Sequence, residues 1–344
     1  MKQGKLCFLF WYNEYEKTQK RRKGENKHMT NIVLLEDLGI PKEKLEELEA
    51  PFIEKGCKFT HYEKTGDIET LKKEVKDADA VILANMPLKD EVVESSDSIK
   101  FIDVAFTGVD HIPLEVCRKK NIAVSNASGY SNEAVAELTL GMALSFARNM
   151  RQLEDNCRND QTKSGLIGYE LKGKTVGIIG YGSIGSRSGE LFHAFGCRIL
   201  TLKGHRIKGN PDYVEAVEME ELLKQSDFVV LHCPLNESTR DLIHKETISR
   251  MKKTAVLINA ARGPVVVSED LKNALNAETI AGACIDVFDK EPPLDSTEPL
   301  LNAKNTLLTP HAAFATEESM ILRAEIVFEN LAGWLEGNQC NSVL

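Results

Sequence analysis

A glycine-rich turn between an apolar segment and a helical segment is the sequence feature that most constrains the fold. The apolar segment 174–179 predicts a strand, and a helix is expected over about 183–195. The glycines between them have the spacing G-x-G-x-x-G, which permits a tight turn, close approach of backbone to a pyrophosphate and close helix–strand packing. The helix N-terminus directs free N–H groups at phosphate. The pattern therefore predicts a dinucleotide-binding site. The residues expected to contact the dinucleotide here are Gly180, Gly182, Ser183, Ile184 and Gly185.

Composition and charge limit the other classes of ligand. The chain has 344 residues, enough for two domains, and its net charge of -9 argues against a general nucleic-acid binder. No apolar run approaches the length of a membrane span. The eight cysteines stand singly, without zinc spacing, so no metal site is predicted and a reducing compartment, the cytoplasm, is expected.

Strands and helices alternate along the chain and predict two α/β units. Residues 1–29 are interpreted as an N-terminal extension, poorly ordered up to residue 28, because a clean strand begins only at Asn31. Alternation in this order is typical of parallel βαβ units. A long helix begins near Glu133, the polar stretch 151–165 interrupts the order, and alternation then continues from Lys174 to about Leu308. The strands predicted before the long helix are 31–36, 58–63, 79–84 and 100–105.

Four side chains that could carry chemistry follow three later apolar segments. Arg262 follows the segment 255–259, Asp286 and Glu291 follow 282–285, and His311 follows 307–308. The carboxyl ends of parallel strands form a ligand crevice, where arginine can hold a carboxylate and histidine beside a carboxylate can act as a general acid. Each residue taken alone also fits a plain structural role: a surface ion pair, a solvated loop or a core histidine. Sequence does not show whether Glu291 contacts His311.

Taken together, these features resemble the D-isomer-specific 2-hydroxyacid dehydrogenase family over roughly residues 31–336. Motifs that match the family jointly are far more specific than any one of them. The segments that carry the resemblance are Gly180-Tyr-Gly-Ser-Ile-Gly185, Leu231-His-Cys-Pro-Leu235, Asn259-Ala-Ala-Arg-Gly263, Asp286-Val-Phe-Asp-Lys-Glu-Pro292, Thr309-Pro-His311, Phe106-Thr-Gly-Val-Asp110 and Gly129-Tyr-Ser-Asn-Glu-Ala-Val-Ala-Glu137.

The resemblance implies a Rossmann-type dinucleotide-binding domain and a smaller flavodoxin-like α/β substrate domain. The substrate domain would comprise 30–131 and 312–344, and the cofactor domain 132–311. Arg262 would bind the carboxylate and carbonyl oxygen of the substrate, His311 would donate a proton to that oxygen, and Glu291 would keep the imidazole protonated. Backbone amides around Thr107 and Gly108 would hold the carboxylate.

The resemblance also assigns further contacts with the cofactor. Asp286 would contact the nicotinamide carboxamide, and Pro234 with its neighbours would flank the adenine. Alanine at 313, where the family often has glycine, is small enough to be tolerated. The residues expected at the cofactor beyond the glycine turn and Asp286 are Cys233, Pro234, Thr239, Ala260, Ala261, Arg262, His311 and Ala313.

One departure from the family pattern leaves the choice between NAD and NADP open. The family places an acidic residue at the end of the strand after the glycine helix, where it binds the ribose hydroxyls. Here Lys203 occupies that position, with His205 and Arg206 close by. These cations would attract a 2′-phosphate and favour NADP. Alternatively, Lys203 points to solvent and NAD binds through other contacts.

Two classes of function follow from this interpretation. The first is an NAD(P)-dependent oxidoreductase, expected to be a homodimer, which interconverts a small 2-oxo acid and its D-2-hydroxy acid by hydride transfer. The alternative is a dinucleotide-sensing regulatory protein of the same fold, because fold alone does not decide function. The joint presence of Arg262, Glu291 and His311 favours the enzyme.

Overall fold

The computed structural model describes residues 29–204, 208–209, 211–291 and 294–344, so the predicted extension 1–28 lies outside the described residues. The chain divides into two compact units. The first contains the described residues up to Tyr130 and Met320–Leu344, and the second contains Ser131–Ser319. The sequence placed the return to the substrate domain at residue 312, whereas residues 312–319 group with the second unit.

The secondary structure alternates as the sequence predicted. The strands are β1 (Asn31–Leu34), β2 (Lys58–His61), β3 (Ala80–Leu83), β4 (Phe101–Val104), β5 (Ala123–Asn126), β6 (Thr175–Ile179), β7 (Arg198–Leu202), β8 (Val214–Val217), β9 (Phe228–Leu231), β10 (Val256–Asn259), β11 (Gly282–Ile285) and β12 (Thr306–Leu308). The helices are α1 (Lys42–Glu54), α2 (Ile68–Val75), α3 (Asp90–Glu94), α4 (Leu114–Lys120), α5 (Asn132–Ala147), α6 (Met150–Arg158), α7 (Ser183–Ala194), α8 (Met219–Gln225), α9 (Lys245–Ile248), α10 (Ser268–Asn276) and α11 (Glu317–Leu335).

The first unit is built on a five-stranded parallel sheet with the order β2-β1-β3-β4-β5. This order is the flavodoxin-like doubly wound order, as predicted. Every residue of β3 and β4 is buried, which requires cover on both faces of the sheet. The sequence prediction missed β5, whose run of apolar residues is shortened by Ser125 and Asn126.

The last helix, α11, packs deeply into the first unit. Its sequence alone is that of an amphipathic surface helix and does not show where the helix docks. Phe328 is fully buried with its ring centroid 5.7 Å from that of Phe52, and Trp334 stacks on Phe101 at 5.0 Å. Aromatic pairs of this kind contribute to stability beyond the area they bury. The helix is therefore part of the core of this unit.

The second unit is built on a seven-stranded parallel sheet with the order β12-β11-β10-β9-β6-β7-β8. The strand order reverses between β6 and β9, and in such sheets the crevice outside this switch point binds the ligand. The stretch 151–165, predicted only as a polar interruption, contains α6, of which every residue retains exposure. No helix within the described ranges is long and apolar enough to cross a membrane.

Candidate active site

The glycine turn after β6 has room for a phosphate group. Gly180 has a φ of 99°, and a Cβ on it would lie 2.5 Å from the backbone nitrogen of Cys233, so only glycine fits between the ends of β6 and β9. A Cβ on Gly185 would overlap the carbonyl oxygen of Gly180, so α7 begins directly against the turn. A Cβ on Gly182 would meet no described atom within 4 Å. Among the described residues, no atom therefore fills the space beside Gly182, and the residues present fit a dinucleotide.

Lys208, which sequence analysis did not single out, lies beside this turn. Its Nζ donates a hydrogen bond to Ser183 Oγ at 2.9 Å, and its backbone N–H donates to the carbonyl of Tyr181 at 3.1 Å. Tyr181 and Ser183 flank Gly182 on either side. The loop after β7 therefore returns to the glycine turn and adds a positive charge to it.

The predicted cationic cluster at the end of β7 is only partly visible. Lys203 is exposed, and its Nζ lies 3.9 Å from Oε1 of Glu218, a distance at which a surface ion pair adds little. His205 and Arg206 lie outside the described residues. The described contacts thus place Lys208, rather than Lys203, against the glycine turn.

The segment after β9 forms a closed turn that contains the predicted adenine-flanking residues. Thr239 Oγ1 donates a hydrogen bond to the carbonyl of the exposed Pro234 at 2.6 Å and so closes the turn. Burial raises the pKa of the Cys233 thiol to about 11, which makes it a poor nucleophile at neutral pH. Burial also lowers the pKa of His232 to about 4, and Nε2 of its neutral ring lies 2.8 Å from Ser188 Oγ.

Asn259, at the end of β10, shapes the turn that contains Arg262. Its buried side chain accepts a hydrogen bond from the N–H of Ala261 and donates one to the carbonyl of Arg262, both at 3.0 Å. Ala260 and Ala261, predicted beside the cofactor, lie within the turn that these two bonds close. Nη1 of Arg262 donates to the carbonyl of Ala261 at 2.8 Å. The turn therefore fixes the base of an arginine whose guanidinium can bind a carboxylate.

Gly263 brings the Arg262 turn against the loop after β11. A Cβ on Gly263 would overlap the Phe288 carbonyl group and lie 2.5 Å from the backbone nitrogen of Asp289. The N–H of Phe288 donates a hydrogen bond to Oε2 of Glu291 at 3.1 Å. The loop that orients Glu291 is thus in direct backbone contact with the residue that follows Arg262.

His311 and Glu291 form a close pair, which the sequence alone did not show. Nδ1 of His311 lies 2.7 Å from Oε1 of Glu291, and their side chains are 23% and 17% exposed. His311 has a left-handed φ of 52°, and its N–H donates to the carbonyl of Asp286 at 2.7 Å. A backbone held in this sparsely populated region is a frequent mark of a functional position.

Asp286 anchors the loop that contains His311. Its carboxylate is fully buried. Oδ1 accepts hydrogen bonds from Thr309 Oγ1 at 2.6 Å and from the N–H of Ala312 at 2.8 Å, and Oδ2 accepts one from the N–H of Ala313 at 3.0 Å. The contact predicted between Asp286 and the nicotinamide carboxamide stays a prediction. What the structure adds is a role in holding the His311 loop.

In the first unit, the loop predicted to bind the substrate carboxylate follows β4. Thr107 and Gly108 are half-buried. The carbonyl of Thr107 accepts a hydrogen bond from Nδ2 of Asn126 at 2.8 Å. The Thr107 hydroxyl oxygen is buried without a hydrogen-bond partner among the described residues. Such a group at a loop end is commonly paired by water or ligand.

Strand order explains which predicted residues come together in the second unit. Arg262, Glu291 and His311 follow β10, β11 and β12, which are neighbours in the sheet. Parallel strands bring their carboxyl ends to one edge, so the three residues follow strands that end at the same edge. Of these, Glu291 and His311 are in direct contact.

Comparison with known proteins agrees with this geometry. Residues 140–313 match the family model described as D-isomer specific 2-hydroxyacid dehydrogenase, NAD binding domain. The chain is 33% identical over 297 residues to the hydroxypyruvate reductase of Blautia hydrogenotrophica, which covers 82% of this chain and 90% of that one. It is 36% identical over 274 residues to the glyoxylate reductase of Korarchaeum cryptofilum, and this alignment covers 76% of this chain and 81% of that one.

A solved structure extends the similarity to the whole fold. An acyclic imino acid reductase in complex with NADPH and D-Arg has a TM-score of 0.83 to this chain at 26% identity, over 92% of this chain and 100% of that one. These relatives are all reductases, so the comparisons do not favour the alternative of a dinucleotide sensor. The chain belongs to the D-isomer specific 2-hydroxyacid dehydrogenase family and is an oxidoreductase with an NAD(P)-binding unit.

Proposed function

We propose that the chain reduces a small 2-oxo acid to its D-2-hydroxy acid, or catalyses the reverse, with His311 as the general acid and base. The observation that carries this proposal is the contact of 2.7 Å between His311 Nδ1 and Glu291 Oε1, next to the loop anchored by Asp286. A carboxylate on Nδ1 stabilises the imidazolium and directs Nε2 to proton exchange with a ligand. When bound, the reduced nicotinamide supplies the hydride.

Two groups of donors are proposed to bind the substrate. The Arg262 guanidinium stabilises the negative charge that grows on the carbonyl oxygen and also binds the carboxylate. The N–H groups around Thr107 and Gly108 complete the binding of the carboxylate. His311 then neutralises the oxygen by proton transfer. Support for these roles is the family membership together with the fixed base of Arg262 and the fixed carbonyl of Thr107.

We propose that the enzyme accepts NADPH. Lys203 replaces the acidic residue that would repel a 2′-phosphate, and the sequence places His205 and Arg206 close by. The contact between Lys208 and Ser183 adds a cation at the phosphate-binding turn. A similar chain is known with bound NADPH. Comparison of kcat/KM with NADH and with NADPH tests this proposal, and a strong preference for NADH would refute it.

A homodimer in the cytoplasm is also proposed. Helix α6 is amphipathic and has no buried residue, and Ile167, on the segment that follows it, is 88% exposed. A soluble protein gains free energy by covering such apolar side chains, and a second copy of this segment is the expected cover. The eight cysteines stand singly along the sequence, without the spacing of a metal site, which supports a reducing compartment. Light scattering on the purified protein tests the dimer.

The decisive experiment is a panel of glyoxylate, hydroxypyruvate and pyruvate assayed with NADH and with NADPH. The expected result is oxidation of the cofactor by at least one acid, and loss of this oxidation in His311→Gln although the variant still binds the cofactor through the glycine turn. If every acid is inert while the wild-type chain binds the cofactor normally, the proposed activity is wrong and the dinucleotide sensor gains support.

A further inference from the structure

The C-terminal tail, residues 339–344, lies along the outer edge of the sheet in the first unit. Ser342 forms an antiparallel bridge with Ser125 of β5. The N–H of Val343 donates to the carbonyl of Val124 at 2.8 Å, and the N–H of Asn126 donates to the carbonyl of Asn341 at 3.2 Å. The tail therefore covers the edge strand β5 up to the residue at which that strand ends.

Asn330, on α11, connects this tail to the interior of the sheet. Its side chain is fully buried, and its Oδ1 accepts a hydrogen bond from Nδ2 of Asn341 at 2.8 Å. Its Nδ2 donates at 3.0 Å both to Oδ1 of the buried Asp103 and to the carbonyl of Asn126. Asn126 is thus held through its N–H by the tail and through its carbonyl by α11.

The side chain of Asn126 transmits this constraint to the loop after β4. Its Nδ2 donates to the carbonyl of Thr107 at 2.8 Å. In a planar trans peptide, the carbonyl of Thr107 and the N–H of Gly108 lie in one plane and point in opposite directions. Fixing the direction of the Thr107 carbonyl therefore also fixes the direction of the Gly108 N–H.

We propose that Asn330 and Asn341 are positioning residues for the substrate carboxylate, because together they hold Asn126 and so aim the N–H of Gly108. This inference rests on the proposed role of Thr107 and Gly108 in binding the 2-oxo acid. The C-terminal tail thereby sets the affinity for substrate, although its contacts are with the edge of the sheet. Affinity for the cofactor, whose glycine turn lies in the second unit, is independent of this network.

The test compares Asn341→Ala and Asn330→Ala with Ser342→Ala, a change in the same tail outside the network. The ligand is oxamate, a carboxylate-bearing analogue of a 2-oxo acid that is not reduced, titrated into the enzyme saturated with reduced cofactor. We expect about a tenfold weaker affinity for oxamate in both asparagine variants, the loss typical of one misdirected donor, with unchanged cofactor affinity and a wild-type value in Ser342→Ala.

A second readout separates positioning from general loss of structure. For the acid of the panel that is reduced fastest, the ratio of kcat/KM for the acid to that for its methyl ester should fall in Asn341→Ala, because the lost donor serves the carboxylate. Asn341→Ala with wild-type oxamate affinity and a wild-type ratio overturns the inference, even if Asn330→Ala fails to fold. A wild-type chain that reduces no acid overturns the proposed function, and this inference with it.

Discussion

Replacing Gly263 with alanine tests how tightly the Arg262 turn and the Glu291 loop are coupled. A Cβ at this position would lie 2.5 Å from the backbone nitrogen of Asp289 and overlap the Phe288 carbonyl. Carbon and nitrogen atoms in ordinary contact lie about 3.4 Å or more apart, so the two loops must separate by roughly 1 Å. The N–H of Phe288 donates to Glu291, and that carboxylate contacts His311, so the displacement is passed to the proposed proton donor.

The expected size of the effect follows from this displacement. Misplacement of a catalytic group by about 1 Å costs on the order of 10²-fold in rate. We therefore expect kcat for reduction of the best 2-oxo acid to fall about 100-fold in Gly263→Ala, with the affinity for reduced cofactor largely retained, because Gly180 and Gly182 are untouched. Single-wavelength assays of cofactor oxidation at saturating cofactor measure kcat, and fluorescence titration measures cofactor affinity.

Gly66→Ala is the matched control for this prediction. A Cβ on Gly66 would meet no described atom within 4 Å, so alanine fits there without displacing a neighbour. The control should have a wild-type kcat and a wild-type melting temperature. If Gly263→Ala, folded as judged by circular dichroism, keeps kcat within twofold of wild type, the backbone contact does not position Glu291 and the reasoning is wrong.

Three further predictions address single residues. His311→Gln should lower kcat by ~10²–10⁴-fold, the usual contribution of general acid catalysis, and a wild-type kcat would remove His311 from the mechanism. Lys208→Ala should raise the cofactor KM by roughly five- to tenfold. A rise for NADPH alone assigns the lysine to the 2′-phosphate, and an equal rise for NADH assigns it to the pyrophosphate. No rise with either cofactor contradicts a role of Lys208 in cofactor binding. Because burial lowers the pKa of His232 from 6.5 to about 4, the unfolded chain binds more protons between these values, so stability should fall as the pH falls from 6.5 to 4. Urea unfolding of wild type and His232→Gln at pH 7 and 4.5 measures this, and an equal acid loss in both chains would exclude His232 as its source.

Local patterns in the sequence were sufficient to predict β6, α7 and the glycine turn between them. The strand predicted over 174–179 and the helix over 183–195 agree with β6 and α7 within one residue at each end. Both depend on residues close together in the chain: an apolar run that a parallel sheet buries, and glycines that a tight turn requires. The positions of Arg262, Glu291 and His311 after strands are likewise local features.

Contacts between distant parts of the chain were not accessible in the same way. Lys208 lies 25 residues from Ser183 in the sequence. Asn330 contacts Asn126 across 204 residues. Neither contact leaves a periodic or spacing signal, because each depends on how elements pack and not on the pattern within one element.

Buried polar residues at strand ends hold the loops that follow the strands in both units. Oε1 of Glu36, just after β1, accepts the N–H groups of Ala84 and Met86 at 2.7 and 2.9 Å, and Asn259 and Asp286 hold the loops after β10 and β12. A buried carboxylate or amide is costly unless backbone N–H groups satisfy it, and the loop N–H groups need an acceptor in turn, so each stabilises the other. A polar residue at the end of an apolar run can therefore indicate a loop anchor as well as a ligand contact. Asp286 is an example. If Asp286 acts mainly as a loop anchor, Asp286→Asn should lower kcat and the melting temperature together, because the amide cannot accept all three hydrogen bonds. Loss of a cofactor contact alone would instead raise the cofactor KM and leave the melting temperature unchanged.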